Sequence, residues 1–126
     1  MKILIVDDSE FSRTMIKRFL NIEGVEVAEA ANGIEALALH RSFNPEFVFL
    51  DITMPDLDGV ATLRILKILD KSMRVIMVTA QGGLEKVQNE CRKYGACSVI
   101  AKPVSEAALW QALNMSDANR GRCSNA

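Results

Sequence analysis

Asp7 and Asp8 follow the apolar run Ile3-Leu4-Ile5-Val6, Asp51 follows Phe47-Val48-Phe49-Leu50, and Lys102 precedes Pro103. In an open parallel sheet, ligands bind at the carboxyl ends of the strands, so charged residues at successive strand ends converge although they are far apart in the chain. Such a site is acidic with one built-in cation. Carboxylates about 4 Å apart repel by about 4 kcal/mol per pair at an effective dielectric near 20, so something must neutralise them. Magnesium does so naturally, because it is held by one or two carboxylates together with waters and phosphate oxygens. Asp51 ends the most apolar strand, where rigid backbone can aim its carboxylate at phosphorus to form an acyl phosphate. Lys102 can pair with Asp51 at rest and with a phosphoryl oxygen afterwards, and the Thr79 hydroxyl can donate to another. Singly these residues are ordinary: Asp8-Ser9 is a helix cap and Asp51 a turn residue. Only the set carries information.

The elements that must position them alternate along the chain, short apolar runs with longer stretches of helical period, five times over. This is the pattern of a βα repeat with a parallel sheet. Residues 2–6 are apolar on both faces, as in a strand covered by helices on both sides, and Phe11, Met15, Ile16, Phe19 and Leu20 form the first helical stripe, closed by Gly24. Residues 25–30 alternate apolar with glutamate, which suits a strand near the sheet edge. Asn32-Gly33 gives a turn and cap, Ile34, Leu37, Ala38 and Phe43 a second stripe, and Pro45 its end. A buried strand over 47–51 leads through a loop with Pro55 and Gly59 to a helix with Leu63, Leu66 and Leu69. Residues 75–78 form the fourth strand. Gly82-Gly83 opens a helix running to Tyr94-Gly95, 98–101 form a fifth strand, and Ser105-Glu106 starts the last helix through Leu109, Ala112 and Leu113. The polar stretch beyond 114 is expected to fray.

Composition narrows the class. A chain of 126 residues, 49% hydrophobic, is one ordinary domain able to bury a core unaided. Its net charge of −1, from 15 basic and 16 acidic residues, and the lack of a basic stripe argue against direct nucleic-acid binding. Apolar runs too short for a bilayer and a start that enters a strand at once point to a cytoplasmic protein with no membrane association. Cys91, Cys97 and Cys123, odd in number and without Cys-x-x-Cys spacing, are expected to be reduced thiols outside any metal site. His40 is expected to be a solvated or partly packed helix residue, and Trp110 either a core anchor or part of a partner patch.

The motifs Val6-Asp7-Asp8-Ser9, Asp51-Ile52-Thr53-Met54-Pro55-Asp56-Leu57-Asp58-Gly59, Thr79-Ala80 and Lys102-Pro103, in this order on five βα units, resemble the response-regulator receiver domains of two-component signalling. The likeness, to chemotaxis-type receivers in particular, covers Lys2 to about Asn114. It implies a flavodoxin-like, doubly wound α/β fold with five parallel strands in the order 2-1-3-4-5. It implies a receiver domain over 1–114 and a tail over 115–126. It implies Asp51 as phospho-acceptor, magnesium held by Asp7, Asp8, Asp51 and the Thr53 carbonyl, Thr79 and Lys102 on the phosphoryl oxygens, and a cis Lys102-Pro103 bond. The donor would be a sensor histidine kinase or histidine phosphotransfer protein. Output would pass to a protein target through the fourth helix, fifth strand and last helix, around Val87, Val99 and Trp110, in a monomer or a phosphorylation-dependent dimer.

Three positions depart from or qualify that pattern. Val99 stands where receivers commonly carry an aromatic switch residue, and Thr53 and Gln81, at positions that tune phosphoaspartate hydrolysis, bring no carboxylate to activate water. An aspartate-nucleophile phosphatase would need an acid/base carboxylate where Thr53 stands. A flavodoxin-like mononucleotide binder would need a Gly- and hydroxyl-rich loop after the first strand, where Asp7-Asp8 instead repels phosphate. The chain is therefore expected to signal and not to act as an enzyme on other molecules.

Overall fold

The computed structural model describes residues 1–52, 58–80 and 84–118. Five strands, β1 (Lys2–Val6), β2 (Glu26–Ala30), β3 (Phe47–Asp51), β4 (Arg74–Thr79) and β5 (Ser98–Ala101), alternate with five helices. These are α1 (Glu10–Phe19), α2 (Gly33–Phe43), α3 (Gly59–Leu69), α4 (Leu84–Lys93) and α5 (Glu106–Ala118). All pairings are parallel and the order is β2-β1-β3-β4-β5, the doubly wound arrangement expected. The helix α5 runs past position 114.

Strand parity splits the core in two. Leu4, Val48, Leu50, Val75 and Met77 point to one face, where Leu63 and Leu66 of α3, Ala36 of α2 and Cys91 of α4 cover them. Ile3, Ile5, Phe47, Phe49, Ile76 and Val78 point to the other, under Ile16 and Leu20 of α1 and Leu109 and Leu113 of α5. Both faces of β3 and β4 are thus apolar and every residue of the two strands is buried, while β2 at the edge keeps only Ala30 buried. Each fully buried Leu, Ile or Phe contributes about 1.5–3 kcal/mol, so the central strands are the rigid base from which Asp51 projects.

Local signals explain the boundaries. Ser9, Asn32 and Asp58 each cap a helix by accepting from the backbone N–H three residues on. Asn44 adopts φ 54° and ends α2 just before Pro45. Ser105 Oγ accepts from Ala108 N at 3.1 Å at the start of α5.

Four expectations are corrected. The helix α1 ends at Phe19 with Leu20 as its C-cap; Gly24, at φ 87°, makes the later turn into β2. Phe11, Ile34 and Leu69, expected on buried stripes, are 76%, 61% and 60% exposed. Each lies in a first or last helical turn. Ala38 is also exposed, since Ala36 supplies the buried contact of α2. Finally, Cys97 is disulfide-bonded, although Cys91 is a free buried thiol. Pairing depends on which sulfurs the fold brings together, which spacing alone does not report. Thr53, Pro55, Gln81, Gly82-Gly83 and Cys123 lie outside the described residues.

Trp110 is partly buried against the Ile3–Phe49 side of the core, Val87 against the other, and Val99 is buried. His40 lies in the last turn of α2, half-buried, with Nε2 3.8 Å from Asp70 Oδ2. No described helix is long and apolar enough to cross a membrane.

Candidate functional site

The carboxyl ends of β1, β3 and β5 bring three carboxylates and one ammonium together. Asp7 directly follows β1, its N–H donating to Ala30 O at 3.0 Å, and is almost fully buried. Its Oδ1 accepts from Ser9 N at 2.9 Å. Asp51, the last residue of β3, is also buried, while Asp8 is exposed. Oxygens of Asp7, Asp8 and Asp51 all lie within 4.8 Å of one another. Lys102 directly follows β5 and donates its N–H to Thr79 O at 2.7 Å, which ties it to the end of β4. From there its Nζ sits 2.8 Å from Asp7 Oδ2 and 3.6 Å from Asp51 Oδ2. The following bond, Lys102-Pro103, is cis.

The charges do not cancel. Among the described residues, three carboxylates gather around one site with one lysine, an excess of two formal negative charges. Burial opposes the charge on Lys102, but contact with Asp7 and the negative charges of Asp51 and Asp7 outweigh it and raise the lysine pKa. Asp7 Oδ2 faces the ammonium as an ion pair yet receives no well-directed hydrogen bond, so a buried acceptor is left over. An all-oxygen cluster with surplus charge and a spare buried acceptor suits a hard divalent cation such as magnesium. Asp7, Asp8 and Asp51 fit that role from the described residues. The Thr53 carbonyl, expected as a further ligand, lies outside them.

Thr79 ends β4, one residue beyond Val78, the register partner of Asp51. Its hydroxyl donates to Ala80 O at 2.9 Å, so it is committed to its own loop in this state. Beside Lys102, a hollow of about 560 Å³ opens between α1 and the loop after β5, with Phe11, Met15, Pro103 and Val104 in its wall.

Two contributors were not singled out for the site by sequence. Gly59 donates its N–H to Ile52 O at 2.7 Å, and a Cβ there would stand 2.1 Å from Asp51 O and 2.5 Å from Ile52 Cα. The backbone of α3 can approach the Asp51 strand end only because position 59 is glycine. Arg13 of α1 donates from Nη1 to the Asp7 carbonyl at 2.7 Å and from Nε to Glu29 Oε1 at 3.2 Å. The Gly59 in the loop motif was a visible signal, whereas a side chain bonding a main-chain carbonyl leaves none.

Known proteins share this architecture. The family described as the response regulator receiver domain matches residues 3–114. Over 114 residues the chain is 40% identical to the chemotaxis protein CheY of Bacillus subtilis, covering 90% of this chain and 94% of that one. It is 40% identical over 102 residues to sporulation initiation phosphotransferase F of the same organism, covering 81% and 82%. Among solved structures, a chain of the CheX–CheY–BeF3–Mg²⁺ complex from Borrelia burgdorferi aligns with a TM-score of 0.83 at 36% identity, over 90% of this chain and 86% of that one.

Proposed function

Because the chain belongs to the response-regulator receiver family of two-component signalling, we propose that it is a phosphorylation-activated switch in which Asp51 takes a phosphoryl group from a histidine kinase or histidine phosphotransfer protein. The observation that carries this is the Lys102 ammonium shared between Asp7 and Asp51 amid surplus carboxylate charge. A carboxylate oxygen of Asp51 attacks phosphorus, the P–N bond to the donor histidine breaks, and its electron pair stays on the imidazole. Lys102 then exchanges part of its pairing with Asp51 for a phosphoryl oxygen, without travelling far. Held by Asp7, Asp8, Asp51 and the Thr53 carbonyl, magnesium when bound supplies positive charge against the carboxylates and the phosphoryl oxygens.

The resting hydrogen bond from Thr79 to Ala80 O defines what changes next. Phosphorylation adds nearly two negative charges and three acceptor oxygens, and the Thr79 hydroxyl leaves Ala80 O for one of them. The loop after β4 follows. Full switching from 1:99 to 99:1 requires about 5.5 kcal/mol of differential stabilisation, within reach of several charge-assisted bonds. Output passes to a protein target through the α4-β5-α5 face, and the apolar hollow beside Lys102 gives the donor a place to approach. The protein acts in the cytoplasm, with the receiver unit continuing past 114 to the end of α5, and catalyses no turnover beyond gain and loss of its own phosphoryl group.

The test is intact mass after incubation with a small-molecule phosphodonor, for wild type and Asp51→Asn, with magnesium and with chelator. A gain of one phosphoryl group by the wild type in magnesium only, absent in the variant, is expected. Equal gain by the variant would remove Asp51 from the role.

A further inference from the structure

We infer that Arg13 and Glu29 are positioning residues for the cation site, acting through the peptide that joins Asp7 to Asp8. This rests on the reading of the acidic cluster as a magnesium site and adds residues to it that touch no metal themselves. The Asp7 carbonyl belongs to the Asp7–Asp8 peptide, so its direction sets where the Asp8 backbone and side chain begin. The Asp7 N–H is fixed by Ala30 O at 3.0 Å, and its carbonyl is fixed by Arg13 Nη1 at 2.7 Å. The two peptides that flank the Asp7 Cα are thus each held by one hydrogen bond at the point where β1 ends, and Arg13 supplies the one on the Asp8 side. Asp8 itself is exposed and gains nothing from packing, so the restraint on its approach to Asp7 and Asp51 comes through this backbone.

A cation this near an acidic cluster has an obvious alternative partner, the carboxylates themselves. Glu29 prevents that. Its Oε1 accepts from Arg13 Nε at 3.2 Å, which tethers the guanidinium on the β2 side, while its Oε2 lies 3.2 Å from Lys17 Nζ. Glu29 is paired with Ile5 in the β1–β2 register, two residues before Asp7, which places it on rigid backbone. The pair therefore does two jobs: Arg13 orients the peptide, and Glu29 keeps the positive charge from occupying the place of the cation. Hydrogen-bond partners behind metal ligands commonly change affinity about 10- to 100-fold when removed.

The experiment is a magnesium titration followed by amide NMR shifts for the full chain as wild type, Arg13→Ala, Arg13→Lys, Glu29→Ala and the double Ala variant, with thermal melts in chelator alongside. Arg13→Ala is expected to raise the magnesium Kd about tenfold and Arg13→Lys to recover part of that. Glu29→Ala is expected to weaken binding through competition by the freed guanidinium, and the double variant to be no worse than Arg13→Ala alone. Should Arg13→Ala not fold, Arg13→Lys and Glu29→Ala still decide the matter. Kd values within twofold of wild type, with lowered melts only, would overturn the inference and leave a purely structural clamp. No magnesium shift in the wild type would overturn the site reading beneath it, and the inference with it.

Discussion

Both edges of the sheet bury charge, and they do so in opposite ways. At the amino edge, the Lys67 ammonium donates to Lys71 O at 2.7 Å and Met73 O at 2.8 Å, so a buried cation is answered by fixed carbonyls. Arg74 lies 4.2 Å over the Phe47 ring and 3.8 Å from Glu46 Oε2, and Asp70 accepts from both Ser72 N and Ser72 Oγ. Each of these charges meets a fixed protein group. At the carboxyl edge, Asp7 and Asp51 share Lys102, and with Asp8 beside them the cluster retains surplus negative charge. Buried charge that is matched group by group holds the fold together, while charge left in excess needs a ligand and can respond to one.

The largest expected effect comes from crowding the carboxyl edge. Gly59→Ala places a Cβ 2.1 Å from Asp51 O, and backbone on both sides cannot give way. A loss of about 3 kcal/mol in urea unfolding is expected, together with lost phosphorylation. An unchanged midpoint would show that α3 can shift without disturbing Asp51.

Next, the two lysines separate the edges. Lys67→Met leaves two carbonyls without their donor and is expected to cost about 2 kcal/mol, the same in magnesium and in chelator. Lys102→Met removes the ammonium that Asp7 and Asp51 share, so its loss should be larger in chelator than in magnesium. Equal behaviour of the two variants would erase the distinction between matched and surplus charge.

A smaller effect of opposite sign should follow from Asp8→Asn. Removing one carboxylate from the surplus is expected to raise the melting temperature in chelator by roughly 3 °C while weakening magnesium binding. A fall in chelator would mean that the cluster is not under mutual repulsion.

The smallest is a control within the core. Burial, with a lesser contribution from Glu90, pushes the Cys91 thiol from 9.0 up to about 11. An acid whose folded pKa is raised contributes stability that is complete below the unfolded value and is lost as pH rises through the folded one. Wild-type stability should therefore decline between about pH 9 and 11 more steeply than that of Cys91→Ala, as followed by urea midpoints against pH. Parallel profiles would show that Cys91 does not contribute.

How much of this was legible depends on the kind of signal. The strands were readable because helices cover both faces of β1, β3 and β4, which makes their interior residues apolar and leaves polar ones only at their ends, and the caps at Asn32 and Ser105 read directly from residue type. The strand-end positions of Asp7, Asp51 and Lys102 followed from their place after apolar runs or before a proline. Phe11, Ile34 and Leu69 misled because periodicity gives a helical direction and not what lies beneath it. At the ends of helices that is solvent or, for Phe11, the wall of the hollow beside Lys102. The clamp of Arg13 on the Asp7 carbonyl and the disulfide at Cys97 depend on three-dimensional approach, and spacing carries neither.

The most direct measurement is to locate the phosphoryl group. After reaction with a phosphodonor in magnesium, borohydride reduction converts an acyl phosphate of aspartate to homoserine, and peptide mass spectrometry then reads the position. Homoserine at 51 alone is predicted, with Asp7 and Asp8 unmodified. Homoserine at 7 or 8, or at 51 to the same extent with magnesium chelated, would contradict the assignment of one acceptor and its surrounding cation site.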